Sequence, residues 1–259
     1  MPAPLVARWL DVAPGEARAG ALGTAVAEVE NTGAVTWRSG HLEGVQLSYH
    51  WLDELGNPIV WDGIRTSFPH VVEPGQEVEI DVPVLAPRPP GSYRLAFDLV
   101  EELRFWFEEV GSMPLDVSVD VRPRIAERRL RVVLHGDPDP ETDAALAAQD
   151  EPVVVEGAAA VAHLVPCAVP APDWSRLLLD AHSEGWAVVG GALAPDARSE
   201  RRLYAAWSPG GGRNPRFAHP LLLPSLLDGL EPSTHLELPA FSGVDVLFEG
   251  RAVVGLRRR

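Results

Sequence analysis

The residues best equipped for chemistry fall into three groups. The first is His50, Trp61, Asp62, Arg65 and Trp106. An indole face can cover the C–H face of a sugar ring while neighbouring carboxylate, guanidinium and imidazole groups take its hydroxyls, so this set reads as a saccharide-binding surface. Core packing is the competing reading for each indole. In Val45-Gln46-Leu47-Ser48-Tyr49-His50-Trp51 apolar and polar residues alternate, which assigns Trp51 to the core face with Leu47 and Tyr49 and turns His50 the other way. Trp61 and Trp106 sit in short acidic or irregular contexts where core packing and exposure compete.

The second group is His135-Gly136-Asp137-Pro138-Asp139, placed at the end of an apolar run. Asp137 and Asp139, with His135, could ligate a cation in a loop beyond the carboxyl end of a strand. The plainer reading is a turn followed by a helix, with Asp139 as N-cap and Pro138 and Pro140 fixing the chain. The third group is Gly210-Gly211-Gly212-Arg213-Asn214-Pro215-Arg216 with His219. Backbone N–H groups and the forks of Arg213 and Arg216, with His219, are candidate anion ligands for a diphosphate. The loop lacks the Lys-Ser/Thr that completes a P-loop, and a linker is the competing reading. No nucleophile elbow is present, and Cys167 reads as a small buried residue.

Elements must position these residues, and the two halves of the chain differ in texture. Residues 1–123 hold five of the eight Trp and the pairs Pro14-Gly15, Pro74-Gly75 and Pro90-Gly91. Period-two alternation recurs in Val78-Glu79-Ile80-Asp81-Val82, Tyr93-Arg94-Leu95-Ala96-Phe97 and Leu115-Asp116-Val117-Ser118-Val119-Asp120-Val121. Half-buried strands separated by turn signals predict an antiparallel β-sandwich of seven or eight strands, with Leu55-Gly56-Asn57-Pro58 as a hairpin turn. Phe105-Trp106-Phe107-Glu108-Glu109 reads as a strand with a solvated end.

From Leu130 the pattern changes. Leu130-Arg131-Val132-Val133-Leu134-His135, Val153-Val154-Val155, Val161-Ala162-His163-Leu164-Val165 and Trp186-Ala187-Val188-Val189-Gly190-Gly191 read as buried strands. A helix is expected from Pro140 to about Gln149, and a second capped by Asp173, burying Trp174, Leu177, Leu178 and Ala181 and closed by Gly185. This order predicts a small α/β domain with a mainly parallel sheet. Residues 193–224 lack periodicity and read as a long excursion, and an edge hairpin is expected around Glu249-Gly250. The expectation is an α+β chain of two domains, 1–122 and 123–259.

Composition bounds the function. The chain has 259 residues, net charge −15, and 22 basic residues that are all Arg. A soft prior of about 150 residues per domain favours two domains. Residues 1–123 hold 8 Arg against 19 acids, so most of the negative charge belongs to the β-rich half. Such acidity argues against nucleic acid as a partner. A single Cys excludes an intramolecular disulfide framework and a Cys-rich zinc site. The start lacks a signal-peptide pattern and no run approaches 18 apolar residues, so a cytoplasmic, soluble protein is the expectation.

Two resemblances add to this reading. Glu30-Asn31-Thr32-Gly33 with Trp37, Leu47-Ser48-Tyr49-His50-Trp51, and Gly63-Ile64-Arg65-Thr66 with Pro69 carry the first. Glu73-Pro74-Gly75-Gln76, Ala86-Pro87 with Pro90-Gly91-Ser92-Tyr93, and Phe105-Trp106-Phe107 with Gly111 complete it. Residues 20–121 resemble an immunoglobulin-like module of prokaryotic cell-surface polysaccharide proteins, distantly similar to the four-tryptophan module of a selective-autophagy receptor. The resemblance implies non-catalytic binding or domain organisation. Leu164-Val165-Pro166-Cys167-Ala168-Val169-Pro170-Ala171-Pro172-Asp173-Trp174, the helix after it and Ala187-Val188-Val189-Gly190-Gly191 resemble part of a family 2 glycosyltransferase. That family carries an Asp-X-Asp metal motif where this chain has Val165-Pro166-Cys167, and the stretch after Glu156 is shorter. A degenerate, non-catalytic relative is implied.

The expectation is therefore a non-catalytic binding or scaffolding protein in bacterial cell-surface glycan assembly, whose partner is a glycan or a glycan-assembly enzyme, with no cofactor. One alternative is an active nucleotide-sugar-dependent glycosyltransferase holding Mg²⁺ or Mn²⁺ at Asp137 and Asp139. Another is a structural interaction module for a larger enzyme.

Overall fold

The structure is a computed structural model that describes residues 5–40, 44–134, 140–164, 169–186, 188–190, 204–207, 246–248 and 251–254. Asp137, Asp139, Arg213, Arg216, His219 and Cys167 lie outside the described residues. Side chains are described to Trp186, apart from residues 163–168. The architecture is mostly antiparallel β with two short helices. Contacts divide the chain into two compact units, one of Met1–Ala17, Leu22–Pro87 and Gly91–Val121, the other of Arg18–Ala21, Arg88–Pro90 and Arg122–Arg259.

The first unit is a two-sheet sandwich. One sheet is antiparallel with order β1 (Ala7–Ala13), β2 (Leu22–Asn31), β6 (Glu77–Leu85). Its inner face obeys the expected alternation. Ala25, Ala27 and Val29 on β2 are buried opposite Val82, Ile80 and Val78 on β6, so small side chains face larger ones in one register. The other sheet is built on the long pair β3 (Val45–Leu52) and β7 (Gly91–Glu101). β4 (Pro58–Val60) and β5 (Thr66–Ser67) pair with the free side of β3, and β8 (Phe105–Trp106) and β9 (Leu115–Val121) with the free side of β7. Nine strands thus form the unit, against the seven or eight expected, because β4, β5 and β8 are too short to show a period.

Leu47, Tyr49 and Trp51 pair with Leu99, Phe97 and Leu95 and fill the core, as expected for Trp51. Two polar contacts lock the sheets together. The Tyr49 hydroxyl accepts from the Leu85 N–H at 2.9 Å, and the Trp51 indole N–H donates to the Leu85 carbonyl at 2.9 Å. One β6 residue is thereby held by two neighbouring side chains of β3. Trp37 extends the core, 5.5 Å from Phe68 and 5.9 Å from Phe107.

Two expectations fail in this unit. β3 was read as half-buried, yet every residue from Val45 to Trp51 is buried. Its second face is roofed by other parts of the chain. The stretch Phe105-Trp106-Phe107-Glu108-Glu109 is no single strand: after β8 the chain turns into a 3₁₀ helix, Phe107–Val110, that buries Phe107 completely.

Among the described residues of the second unit seven strands form one sheet, ordered β11 (Val153–Val154), β10 (Leu130–Leu134), β12 (Ala160–Leu164), β14 (Tyr204–Trp207), β13 (Val188–Gly190), β15 (Val246–Phe248), β16 (Arg251–Val254). β10 is parallel to β11 and β12, and β13 to β15, but β14 is antiparallel to both its neighbours and β15 to β16. The sheet expected to be mainly parallel is therefore mixed. Tyr204-Ala205-Ala206-Trp207, in a stretch without period, inserts between β12 and β13 and hydrogen-bonds on both sides, a placement that only long-range pairing selects. The expected edge hairpin is present as β15 and β16.

α1 (Pro140–Ala147) starts at the expected proline and ends two residues early. α2 (Trp174–Ser183) buries Trp174, Ser175, Leu178, Leu179, Ala181 and His182, while Leu177 is 38% exposed. The buried stripe is thus rotated from the expected one, because the helix sits between Ile125, Leu130, Ala160 and Ala162 on one side and polar anchors on the other. Asp173 stands at the N-cap but does not cap through its side chain, which pairs with Arg176 at 3.4 Å. Gln149 supplies the cap instead, its Oε1 accepting from the Ser175 N–H at 2.9 Å. At the other end Gly185 adopts φ 111° and closes the helix, with N–H bonds from Gly185 to His182 O and from Trp186 to Ala181 O. Burial, reinforced by the Arg124 charge, pulls His182 down to about 3, so the ring is a neutral core group bonded through Nδ1 to Trp186 O at 2.7 Å.

Asn31 gives the clearest test of the sandwich. It is fully buried, donates to the carbonyls of Val35 and Val72 at 3.0 Å each, and accepts from the Gly33 N–H at 3.1 Å. Asn31→Ala leaves these buried groups short of partners and should destabilise the fold by about 2–3 kcal/mol. Urea unfolding should show a lower midpoint with an unchanged slope.

Candidate functional site

The roof over the outer face of β3 and β7 is where the sequence-derived candidates meet. β4 and β5 pair with opposite ends of β3, at Trp51 and Leu52 and at Gln46 and Leu47. The five residues between them, 61–65, bulge over the middle of β3. Gly63 pins the bulge, its N–H donating to Tyr49 O at 3.0 Å. Only glycine fits this approach, because a Cβ at Gly63 would lie 2.5 Å from Tyr49 O and 2.7 Å from the Tyr49 ring. A bulge of this kind re-aims side chains that would otherwise follow the ladder. Here it lays Trp61 and Arg65 over the strand.

His50 is the centre of the arrangement. It is 2% exposed, stacked on Trp61 with ring centroids 4.0 Å apart and planes at 21°, and 4.3 Å from the Trp106 centroid. Trp61 and Trp106 meet edge to face at 6.2 Å. His50 Nδ1 hydrogen-bonds the Trp61 carbonyl, and a carbonyl only accepts, so Nδ1 carries the proton. Burial lowers the His50 pKa, opposed by that bond and by the charges of Glu108 and Asp62 and aided by Arg65. The ring is neutral, and Nε2 is a buried acceptor with no hydrogen-bond partner among the described residues.

Arg65 clamps the roof to the sheet. Its Nε donates to Glu102 at 2.5 Å, Nη2 to Asp62 at 2.7 Å, and Nη1 to Ser48 Oγ at 3.0 Å and to Gly63 O at 3.2 Å. Its guanidinium also lies 4.7 Å over the Trp106 ring. A cation held over an indole and engaged by two carboxylates is fixed in one orientation. All five candidates of the first group therefore fall in one cluster.

Burial separates their roles. Trp106, 8% exposed, is packing, whereas Trp61 is 47% exposed. One Trp61 face is stacked on His50 and the ring meets Trp106 edge to face, while about half of the residue stays exposed to solvent. Asp62, beside it, has a side chain 71% exposed. A rigid indole face with a carboxylate at its rim can stack on an apolar ring face and accept hydrogen bonds from hydroxyl or amine groups.

Sequence reasoning missed Ser48, Asp98, Glu102 and Glu108. Asp98 lies opposite Ser48 in the register and is 2% exposed. Its signal was available as a lone carboxylate inside Leu95-Ala96-Phe97-Asp98-Leu99-Val100. Its carboxylate accepts from the N–H groups of Leu99 at 2.7 Å and Glu108 at 3.2 Å, tying the 3₁₀ helix after Trp106 to β7. Burial pushes its pKa up to about 7 against those two bonds, with the Glu108 and Glu109 charges adding to the rise. Among the described residues no group of three or more His, Cys, Asp and Glu is arranged to hold a metal ion, and no helix is long and apolar enough to cross a membrane.

Protein-family profiles give no match to the sequence, and no curated protein matches it significantly. Among solved structures, the C-terminal domain of Wzt is 11% identical, with 44% of this chain and 72% of that chain covered at a TM-score of 0.29. The PapD-like domain 7 of human CEP192 is 15% identical over 46% of this chain and 86% of that domain, TM-score 0.25. A family 123 glycoside hydrolase from Clostridium perfringens is 12% identical over 45% of this chain and 24% of its own, TM-score 0.25. The two-sheet architecture described above rests on the registers and burial of this chain.

Two measurements test the site's construction. The unfolded Asp98 carboxyl titrates near 3.8 and the folded one near 7, so between these values the native state holds the extra proton. Asp98 therefore makes stability fall as pH rises through that window, by up to about 1.4 kcal/mol per pH unit. Thermal melts of Asp98→Asn should lack this component, so the difference from wild type should change between pH 4 and pH 7 and level off above. Gly63→Ala should force the 61–65 bulge off β3, lower the melting temperature by several degrees, and raise the fluorescence exposure of Trp61 and Trp106 to quencher.

Proposed function

We propose that this protein is a non-catalytic glycan-binding or scaffolding protein of bacterial cell-surface glycan assembly, with an immunoglobulin-like sandwich as its binding module. The observation that carries this reading is the Trp61 indole, half exposed and backed by the buried His50 ring. An exposed tryptophan on a soft loop would be a surface accident. This one is held from behind by a stack, along its edge by Trp106, and through Asp62 by the Arg65 clamp. Such pre-organisation favours binding, because little side-chain freedom is lost when a ligand lands on the ring. The chemistry supports a saccharide, since the residue next to the half-exposed indole is Asp62, whose mostly exposed carboxylate can accept from hydroxyls.

The partner is accordingly a glycan that presents a ring face to Trp61 and hydroxyls to Asp62. The mechanism is stacking plus hydrogen bonding at a surface platform, with His50, Arg65 and Trp106 as positioning residues and Trp61 and Asp62 as contact residues. Trp61→Ala should weaken glycan binding by at least about tenfold, corresponding to the loss of roughly 1.4 kcal/mol or more. Because Trp61 is already about half exposed to solvent, the melting temperature should fall by only a few degrees. A polysaccharide array followed by calorimetry on wild type and Trp61→Ala checks this. Equal binding by both proteins, or no binding of any glycan by the wild type, overturns the proposal.

A further inference from the structure

We infer that the Trp61 platform takes neutral or amine-bearing sugars and rejects acidic ones such as uronates and phosphorylated glycans, an inference that rests on the platform reading above. The argument is an inventory of donors and acceptors around one indole. Residues 61–65 and 98–109, which build the roof and its anchor, contain two arginines, Arg65 and Arg104, against six carboxyl groups, Asp62, Asp98, Glu101, Glu102, Glu108 and Glu109.

Arg65 is committed. It engages Glu102, Asp62, Ser48 and the Gly63 carbonyl with its three nitrogens and lies 4.7 Å over the Trp106 ring. Arg104 pairs with Glu101 in the β7–β8 turn. A ligand carboxylate or phosphate is recognised by an open guanidinium fork or a row of free N–H groups. In this roof the Arg65 guanidinium already has Nε and Nη2 on protein carboxylates and Nη1 on Ser48 and the Gly63 carbonyl.

Acceptors, by contrast, are left over. The Asp62 carboxylate spends one oxygen on Arg65 and is mostly exposed beside the half-exposed indole. Glu108 is tied to the outer face of the sheet by its N–H bond to Asp98 at 3.2 Å. A surface rich in acceptors and poor in open donors selects ligands that bring donors. Hydroxyls do so, and an ammonium does so with favourable charge. An anionic substituent brings acceptors only and meets the like charge of Asp62 at close range.

Paired oligosaccharides that differ only in charge test this. Oligogalacturonates against their methyl esters, and chitosan oligosaccharides against their N-acetylated forms, are titrated calorimetrically into wild type, Trp61→Ala and Asp62→Asn, alongside an array spanning neutral, amino and acidic polysaccharides. At low salt the acidic member of a pair should bind roughly tenfold more weakly than its neutral counterpart, and the amine at least as tightly. Asp62→Asn should narrow the acid-to-neutral gap several-fold, and so should high salt. An acidic glycan bound as tightly as its neutral partner, or a gap untouched by Asp62→Asn, overturns the inference. If acidic glycans bind and Trp61→Ala abolishes that binding, the platform stands and the charge preference alone falls. If nothing binds, both fall together.

Discussion

The structure of the first unit turns on one constraint, which is that both faces of the β3/β7 pair are out of water. The inner face is mostly apolar, and its two polar tips, on Tyr49 and Trp51, are both met by Leu85. The outer face carries Gln46, Ser48, His50 and Asp98, and burying polar groups is unfavourable unless each finds a partner. Nearly every irregular feature of the unit answers that demand. The 61–65 bulge brings Arg65 to Ser48 and a carbonyl to His50 Nδ1. The 3₁₀ helix after Trp106 brings the Glu108 N–H to Asp98. Ser67 donates to Gln46 at 2.9 Å.

That demand also explains why the platform is rigid. Each roofing segment is held by a polar bond to the sheet and by an aromatic or cation contact to its neighbour, so the pieces orient one another. Individually these contacts are modest, about 0.5–1.5 kcal/mol for an aromatic pair and no more for a partly exposed ion pair. Their value lies in convergence on Trp61. Asp98 is the weak point of the scheme: its carboxylate is useful as an acceptor and unfavourable as a buried charge, and its pKa of about 7 is the balance of the two. Among the described residues of this unit Trp37 Nε1, Thr66 Oγ1 and His50 Nε2 are buried without a hydrogen-bond partner, and the last lies in the same stack as the exposed indole.

The second unit is organised differently. Its helix α2 is fixed at both ends by groups distant or special in the sequence, Gln149 at the start and Gly185 at the end, and its buried stripe keeps the helical period but is rotated to take in Ser175, Leu179 and His182. Gln149 also donates to Ala171 O at 2.8 Å, so a single amide joins the end of α1 to the entry of α2. Asp173 was the obvious cap by residue type, yet its carboxylate is drawn to Arg176 and the amide of Gln149 takes the position.

The sequence by itself determined the strands with a strong period, the core placement of Leu47, Tyr49 and Trp51, the closing role of Gly185, and the residue types of the platform. These are local properties, encoded in alternation, in propensity and in the special backbone freedom of glycine. Tertiary structure alone decided that β3 has a second roof, that β14 enters the second sheet antiparallel, and that Trp61 is the exposed indole while Trp106 is buried. It also decided that Asp98, Ser48 and Glu102 belong with His50 and Arg65, although up to 54 positions separate them in the chain. Period two tells which way a side chain points but not what lies there, because the covering segment comes from elsewhere and is selected by long-range pairing and the satisfaction of buried polar groups.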